Sequence, residues 1–171
     1  ITKKTRVILP VHLGGIPCDL QEISKISKKF GLSIVEDAAH AAGAKYNGKK
    51  IGNHGNCVCF SFHPVKNLAM PSGGAITINS KNNKQVSKIL KSKRWAGITG
   101  RKGSSYDVSN LGWNYYMNEF SAAIGIEQLK KLDKTNSQRK KIGKKYSEEL
   151  EIGEKMPFNE NCSYHFYWIQ V

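Results

Sequence analysis

Two side chains in the first half of the sequence bring an amine and a carboxylate to the ends of two predicted strands. Lys66 follows the apolar run 57–62, and Asp37 follows the apolar run 32–35. Because ligands of parallel sheets bind outside the carboxyl ends of the strands, we expect both side chains in one crevice. A lysine amine forms an imine with an aldehyde, and an ionised aspartate keeps a neighbouring pyridine nitrogen protonated. These are the two groups that a protein needs to hold pyridoxal 5′-phosphate (PLP).

Two further side chains lie near the same predicted strand ends. His40 lies three residues after Asp37, where its flat ring can stack on a flat cofactor, and Ser61 lies at the end of the strand before Lys66. Taken singly, each residue also has a structural explanation: a surface lysine, an aspartate that caps a helix, a hydrogen-bonded histidine and a small serine in the core. Their joint placement on adjoining strands favours a cofactor site.

The composition is that of an ordinary globular domain. The chain has 171 residues, of which 39% are hydrophobic and 23% charged. No apolar stretch approaches the roughly 20 residues that a membrane helix needs, and the first residues lack the pattern of a secretory signal. The four cysteines form no Cys-x-x-Cys pair and suit free thiols in a reducing compartment. We therefore expect a cytoplasmic protein with no membrane partner.

The formal net charge of +14 raises the question of nucleic-acid binding. Only four of the 27 Lys and Arg residues are arginines, which are the usual bidentate readers of bases and phosphates. The lysines are spread along the chain and become dense only in 130–145, where they suit the solvated face of a helix. We expect no nucleic-acid partner. No metal site is expected either, since the histidines lack the His-x-x-x-His spacing of a helical metal site.

The order of predicted elements favours an α/β fold. Strands are predicted at 7–13, 32–35, 57–62, 75–79 and 164–171, and helices at 19–30, at 84–94 and from Asn118 onward. A loop-and-helix segment is expected around 38–45, a hairpin at 46–50 and a long loop at 97–110. The apolar residues 120–126 are expected to be buried or to face another subunit. Alternation of strands and helices predicts a mostly parallel sheet with helices on both faces.

Several blocks of the sequence, in order, resemble the DegT/DnrJ/EryC1/StrS sugar aminotransferases, which are fold-type I enzymes that use PLP. The blocks are 35–41, 43–44, 60–67, 73–76, 111–117, 122–125 and 164–167. Because they span nearly the whole chain, they are far more specific than one glycine motif. The resemblance implies the large domain of a PLP-dependent transferase of type I, truncated, followed by the start of a small C-terminal α+β domain.

The resemblance also implies a role for each candidate residue. Lys66 matches the lysine that forms the imine, Asp37 the partner of the ring nitrogen, and His40 the residue stacked on the ring. Ser61 matches a serine that binds the cofactor phosphate. Asn114 matches an asparagine that reaches the phosphate from the neighbouring subunit, which implies a homodimer with a shared active site.

The activity that the resemblance implies is the transfer of an amino group, usually from glutamate, to a keto group of a nucleotide-linked sugar. Such a reaction serves amino-sugar and cell-surface polysaccharide biosynthesis. The chain departs from the family pattern at Ser72, at Tyr116 in place of a frequent arginine, and at Asn56 in place of a common aspartate. These departures leave the choice of sugar open, and the segment 97–110 is the best candidate for setting it.

The resemblance further implies a division of the chain into parts. Residues 1–117 correspond to part of the PLP-binding large domain, 118–150 to a long connecting helix, and 151–171 to the beginning of the small domain. Family members are considerably longer, so we expect the chain to be the central piece of an enzyme. Alone, it is predicted to bind the cofactor weakly or not at all.

Two alternatives stay open at this point. The first keeps the fold but makes the chain another fold-type I PLP enzyme, such as a lyase or a racemase. The second is a lysine-rich binding module without catalysis, which predicts strongly salt-dependent binding to polynucleotides.

Overall fold

The structure, a computed structural model, describes residues 1–55, 57–79 and 81–170. Asn56 and Val171, on which two sequence-based interpretations fell, lie outside the described residues. The strands are β1 (Val7–Ile8), β2 (Ser33–Asp37), β3 (Lys45–Tyr46), β4 (Lys49–Lys50), β5 (Cys57–Ser61), β6 (Gly74–Ile78), β7 (Ile98–Lys102) and β8 (Ser105–Val108). The helices are α1 (Leu20–Phe30), α2 (Asn83–Arg94) and α3 (Glu119–Glu149).

The central sheet has four strands in the order β1-β2-β5-β6. The pairings of β2 with β1 and with β5 are parallel, and β6 runs antiparallel to β5. The predicted mostly parallel sheet is therefore confirmed. Asp37, the last residue of β2, pairs with Cys59 of β5, so that the two strands reach the same edge of the sheet almost level with each other.

The helix boundaries follow the capping signals in the sequence. Asp19 accepts hydrogen bonds from the backbone N–H groups of Gln21 and Glu22, both at 3.1 Å, and so begins α1. Gly31 ends that helix in the left-handed conformation, with φ of 63°. Asn118 caps α3 in the same way as Asp19 caps α1, by accepting from the Ser121 N–H at 2.8 Å. Each of these three ends was predicted from the local sequence.

Other predicted elements were wrong. Residues 38–44 form turns rather than a helix, because Ala38, Ala41 and Ala44 are fully buried and the chain folds back at each of them through hydrogen bonds between residues three apart. The strand predicted at 7–13 pairs only over β1, with one further bridge from Val11 to Asp37, and then becomes a short 3-10 turn.

The segment 97–110, predicted to be a loop, is mostly a hairpin of β7 and β8. Gly103 supplies the left-handed turn between the two strands, with φ of 59°. The predicted hairpin at 46–50 is confirmed, with Asn47 and Gly48 at positive φ between β3 and β4. In the predicted strand at 164–171, the described residues pair only through one bridge, from Ile169 to Lys155.

The apolar start of α3 is not buried within this chain. Phe120 is 83% exposed, and Ile124, Ile126 and Leu129 are also largely exposed. The segment 120–126 was predicted either to be buried or to face another subunit, and only the second prediction remains. Among the described residues, none of the helices combines the length and the apolar composition needed to cross a bilayer.

Candidate active site

Two backbone hydrogen bonds to the segment after β1 hold Asp37 at the end of β2. Its N–H donates to the Pro10 carbonyl at 2.9 Å, and its own carbonyl accepts from the His12 N–H at 3.0 Å. The side chain is partly buried, and its Oδ1 accepts from the Ala39 N–H at 2.9 Å. Within the described part of the chain, Oδ2 has no hydrogen-bond partner. A fixed carboxylate with one open oxygen can therefore receive a donor from a ligand.

Lys66 lies in the loop that connects β5 to β6. The loop is closed by backbone hydrogen bonds, in which Lys66 donates to the His63 carbonyl at 2.8 Å and Phe62 donates to the Gly73 carbonyl at 2.9 Å. The Lys66 side chain is partly buried, and no described carboxylate lies within ion-pair distance of its amine. An amine without a salt bridge remains available to react with an aldehyde.

His40 connects the two groups electrostatically. Burial lowers the pKa of His40, the positive charge of Lys66 lowers it further, and the negative charge of Asp37 acts in the opposite direction. Lys66 and Asp37, which the sequence predicted as neighbours of His40, thus both lie close enough to influence the charge state of its ring. The His40 ring also accepts a hydrogen bond at Nδ1 from the Gly14 N–H, at 3.4 Å.

Ser61 and Asn114 lie in different places relative to this group. Ser61 is the last residue of β5, and its hydroxyl oxygen accepts from the His63 N–H at 3.4 Å, which leaves its own O–H free to donate. Asn114 is exposed and pairs with Trp95 in the segment between β8 and α3. None of the described hydrogen bonds or ion pairs links Asn114 to the other four candidates.

The open groups match the polar atoms of PLP. The Asp37 carboxylate suits a protonated pyridine nitrogen, the Lys66 amine suits an aldehyde, and the Ser61 hydroxyl suits a phosphate oxygen. The His40 ring provides a flat surface for a flat heterocycle. The residues present therefore fit the cofactor that the sequence predicted.

Sequence reasoning missed a buried pair behind Asp37. His12 and Glu36 are almost completely buried, and the His12 Nε2 lies 3.1 Å from a carboxylate oxygen of Glu36. The Cys18 N–H donates to the His12 Nδ1 at 3.0 Å, so the ring proton is on Nε2 and points to Glu36. Because Glu36 precedes Asp37 in β2, this pair fixes the strand that carries the carboxylate. Only the three-dimensional contact between β2 and the segment that follows β1 reveals it.

The terminal segment 161–167 packs directly on the candidate site. His165 stacks on His40 with ring centroids 4.4 Å apart and an interplanar angle of 25°. Ser163 donates its hydroxyl hydrogen to the His40 carbonyl at 2.7 Å, and Asn67, next to Lys66, donates to the Ser163 carbonyl at 2.7 Å. The sequence contained these residues in a recognisable block, but it gave no signal of what they contact.

A second concave feature lies between α2 and β7. It is a groove of about 510 Å³. The positively charged residues that line it are Lys84, Lys88, Lys91, Arg94 and Arg101. The Arg101 guanidinium lies 4.7 Å from the centre of the Trp95 ring, also in the groove, and no acidic residue lines it. We call this feature the basic groove.

The chain belongs to the DegT/DnrJ/EryC1/StrS aminotransferase family, whose sequence model matches residues 1–171. It is 39% identical over 156 residues to the uncharacterized protein MJ1066 of Methanocaldococcus jannaschii, covering 88% of this chain and 40% of that protein. It is 38% identical over 141 residues to the UDP-4-amino-4,6-dideoxy-N-acetyl-beta-L-altrosamine transaminase of Campylobacter jejuni, covering 82% of this chain and 37% of the transaminase. The chain thus spans about 40% of the length of the curated relatives it matches.

The fold is shared with solved sugar aminotransferases. The putative sugar aminotransferase Spr1654 of Streptococcus pneumoniae, in its apo-form, superimposes with a TM-score of 0.87 at 28% identity, over 98% of this chain and 48% of that one. The same protein is also solved in PMP- and PLP-forms. The predicted fold class, that of a PLP-dependent transferase, is confirmed, and PLP is the cofactor of this class of protein.

Proposed function

We propose that the protein is a PLP-dependent aminotransferase that transfers an amino group, with glutamate as donor, to a keto group of a nucleotide-linked sugar. The observation that carries the proposal is the grouping of Asp37, His40 and Lys66 at the carboxyl edge of the parallel strands, each with a group open to a ligand. Family membership and the Campylobacter jejuni transaminase support the reaction type and the substrate class.

In this proposal each residue has a separate task. When bound, PLP supplies an electron sink that stabilises the charge left when a substrate loses a proton. Asp37 holds the ring nitrogen in its protonated form, and His40 holds the ring in place by stacking. Ser61 donates its hydroxyl hydrogen to the phosphate. Lys66 anchors the aldehyde carbon through its amine and, once an amino substrate has displaced it, moves protons at that carbon.

We also propose a homodimer in which Asn114 completes the partner's site. Its exposure supports this assignment, as does the lack of any described hydrogen bond or ion pair between Asn114 and the other four candidates. The exposed apolar start of α3 supplies a surface for the second copy. The proposed division into residues 1–117, 118–150 and 151–171 remains part of the same hypothesis, with α3 as the connecting helix.

The basic groove supports a nucleotide-linked substrate rather than a neutral sugar. Its volume is in the range of small-molecule sites, and its five cations are opposite in sign to a diphosphate. Because the β7–β8 hairpin forms one wall, the groove also gives a physical basis to the idea that segment 97–110 selects the sugar. Exchange of that hairpin with a relative's should change the preferred sugar, and an unchanged preference would contradict the idea.

Chemical trapping of the complete protein tests the central assignment. Borohydride reduction in the presence of PLP should leave a covalent label on Lys66, found by peptide mapping. Lys66→Ala should abolish the label, whereas Lys45→Ala, which removes an exposed lysine on β3, should retain it. A label on any other lysine would refute the proposal.

A second measurement separates the proposal from its alternatives. Glutamate added to the PLP-loaded protein should convert the cofactor to its amine form, which a lyase or a racemase does not accumulate. A non-catalytic lysine-rich module predicts no absorption from bound cofactor and a strongly salt-dependent affinity for polynucleotides. Either result would replace the aminotransferase proposal.

A further inference from the structure

The hydrogen bonds around Asn67 determine the protonation of His165. The Asn136 Nδ2 donates to the Ala42 carbonyl at 2.8 Å, so the Asn136 Oδ1 is an acceptor and receives the Asn67 Nδ2 at 2.9 Å. The Asn67 Oδ1 is then also an acceptor, and it lies 3.2 Å from the His165 Nδ1. That nitrogen must therefore carry the proton, because an oxygen cannot donate one.

His165 is a neutral ring at neutral pH in this arrangement. Burial lowers the pKa of His165 to about 4, and the nearby charges of His40, Lys66 and Arg139 act in the same direction. The proton on Nδ1 is consistent with this, since Nε2 then remains an unprotonated acceptor. A neutral ring can stack on His40 without adding a positive charge beside the Lys66 amine.

The rings around His40 leave one of its faces uncovered. His165 covers one face at 4.4 Å, and Phe166 contacts His40 at 5.2 Å with an interplanar angle of 73°. If Phe166 lay on the opposite face of His40, its distance from His165 would approach the sum of the two centroid distances to His40. The Phe166 and His165 centroids are only 5.5 Å apart, so Phe166 does not cover that face. None of the described aromatic rings lies on the second face of His40, so that is the face on which a flat ligand would stack.

We propose that His165 is a positioning residue, which backs one face of the His40 ring and so sets the orientation in which the other face meets the cofactor. The inference rests on the proposed function, since it concerns how the same site orients PLP. Aromatic pairs of this kind contribute about 0.5–1.5 kcal/mol beyond the area they bury, which corresponds to roughly 2- to 12-fold in a binding constant.

The backbone before His165 supports a specific role for this ring. Tyr164 is almost fully buried and adopts a left-handed conformation, with φ of 48°, which is unfavourable for a bulky residue. Arg139 of α3 donates to the carbonyl of His165 at 3.3 Å, and the His165 N–H donates to the Gly14 carbonyl at 2.9 Å. The turn at Tyr164 and these two bonds fix the ring against His40.

Two variants of the complete protein separate the stacked ring from its hydrogen bond. His165→Phe keeps a flat uncharged ring, and His165→Ala removes it. Phe158→Ala is the control, because it removes an aromatic ring that lies just before the terminal segment and stacks on Tyr164 instead of His40. The readouts are the dissociation constant of PLP and the visible circular dichroism per bound PLP at saturation, which reports how rigidly the cofactor is oriented.

We expect His165→Ala to weaken PLP binding by up to about tenfold and to reduce the dichroism per bound cofactor. His165→Phe should stay within about twofold of the native protein, and Phe158→Ala should match it. The inference would be overturned if His165→Ala kept the PLP affinity and dichroism of the native protein, or if His165→Phe lost as much of either as His165→Ala. In both cases PLP binding by the native protein would still uphold the proposed function. Absence of PLP binding by the native protein would overturn both.

Discussion

At the scale of single residues, the site depends on side chains that keep one group open to a ligand. Asp37 uses one carboxylate oxygen for the Ala39 N–H and leaves the other without a described partner. Lys66 is partly buried without an ion pair, although seven ion pairs occur elsewhere among the described residues. Because both side chains are only partly buried, these open groups remain accessible to a ligand.

The substitution Asp37→Asn tests the role of the carboxylate. Asparagine can still accept from the Ala39 N–H through its Oδ1, so the end of β2 should keep its structure. Its Nδ2 cannot accept a proton from the pyridine ring, and we expect PLP affinity to fall by about 10- to 100-fold, the equivalent of one charge-assisted hydrogen bond. Spectroscopic titration measures this affinity.

The control for this change is Asp133→Asn, which alters an exposed carboxylate that pairs with Lys50 on the surface. It should leave PLP binding unchanged, because surface ion pairs contribute little. Equal affinities of Asp37→Asn and the native protein would show that Asp37 does not face the ring nitrogen.

A second prediction at the scale of single residues concerns the effect of pH on the stability that His165 contributes. The pKa of His165 in the folded protein is about 4, because of burial and the charges of His40, Lys66 and Arg139, whereas an unperturbed histidine has a pKa of 6.5. Between these values the unfolded chain binds a proton that the folded chain does not. Stability contributed by His165 is therefore present above about pH 6.5 and is lost as the pH falls toward 4.

Comparison of the native protein with His165→Phe isolates this contribution, since phenylalanine does not titrate. Thermal unfolding measured from pH 7 to pH 4 should show a steeper loss of melting temperature in the native protein. Parallel curves for the two proteins would mean that the pKa of His165 is the same in the folded and the unfolded chain, contrary to the effect of burial and of the nearby positive charges.

Some of the site was predictable from the sequence, and the reason is local. Asp37 and Lys66 lie shortly after apolar runs and Ser61 lies near the end of one, so their position at or just beyond the strand ends follows from the runs themselves. His165 is 98 residues from Asn67, and only the packing of the terminal segment brings the two together. A contact of that kind has no periodicity or spacing that single-sequence reasoning can use.

At the scale of elements, capping residues were reliable and composition was misleading. Asp19, Gly31 and Asn118 mark helix ends because their side chains or backbone angles do the same work in any helix. The segment 97–110 was predicted as a loop because it is rich in glycine and serine. Its glycines Gly100 and Gly103 are instead at positive φ within and between the strands of a hairpin.

Composition was misleading for the alanines of 38–44 as well. Alanine favours helices on average, but here Ala38, Ala41 and Ala44 are fully buried in a core cluster with Val58 of β5. Tertiary packing therefore decided the local structure. The result is a tight connection that keeps His40 close to the end of β2.

The basic groove gives the prediction at element scale. Lys88 and Lys91 lie on the groove side of α2, and the double change Lys88→Glu with Lys91→Glu reverses two of its five charges. We expect the affinity for UDP, used as a nucleoside diphosphate probe, to fall roughly tenfold at low ionic strength, with a smaller effect at high salt. Isothermal titration calorimetry measures the affinity.

PLP binding should be unchanged in this variant, since the groove is formed by elements other than those that carry Lys66 and Asp37. The double change Lys144→Glu with Lys145→Glu, at exposed positions of α3, is the matched control for net charge. If both double variants bind UDP equally well, the groove is not where the nucleotide binds.

At the scale of the whole molecule, the charge and the apolar surface point to different kinds of contact. A chain with net charge +14 repels its own copies, so self-association requires apolar contacts that outweigh the repulsion. The start of α3 offers them, since four apolar residues there are largely exposed. They are Phe120, Ile124, Ile126 and Leu129. The same helix follows Asn114, so a contact here would place that asparagine near a second copy.

Phe120→Asp tests whether this surface holds the proposed dimer. Phe120 is the second residue of α3, where an acidic side chain favours the helix by its interaction with the helix dipole, so the helix itself should persist. Burial of an aspartate against a partner is unfavourable, and we expect the dissociation constant of the dimer to rise at least tenfold, as for loss of a buried aromatic anchor. Analytical ultracentrifugation of the complete protein measures this constant, and Lys134→Asp, at an exposed polar position further along α3, should leave it unchanged.

Because Asn114 is proposed to reach the partner's site, PLP affinity should fall in parallel with dimer content. A monomer that binds PLP as tightly as the dimer would contradict the shared site, and an intact dimer in Phe120→Asp would contradict this interface.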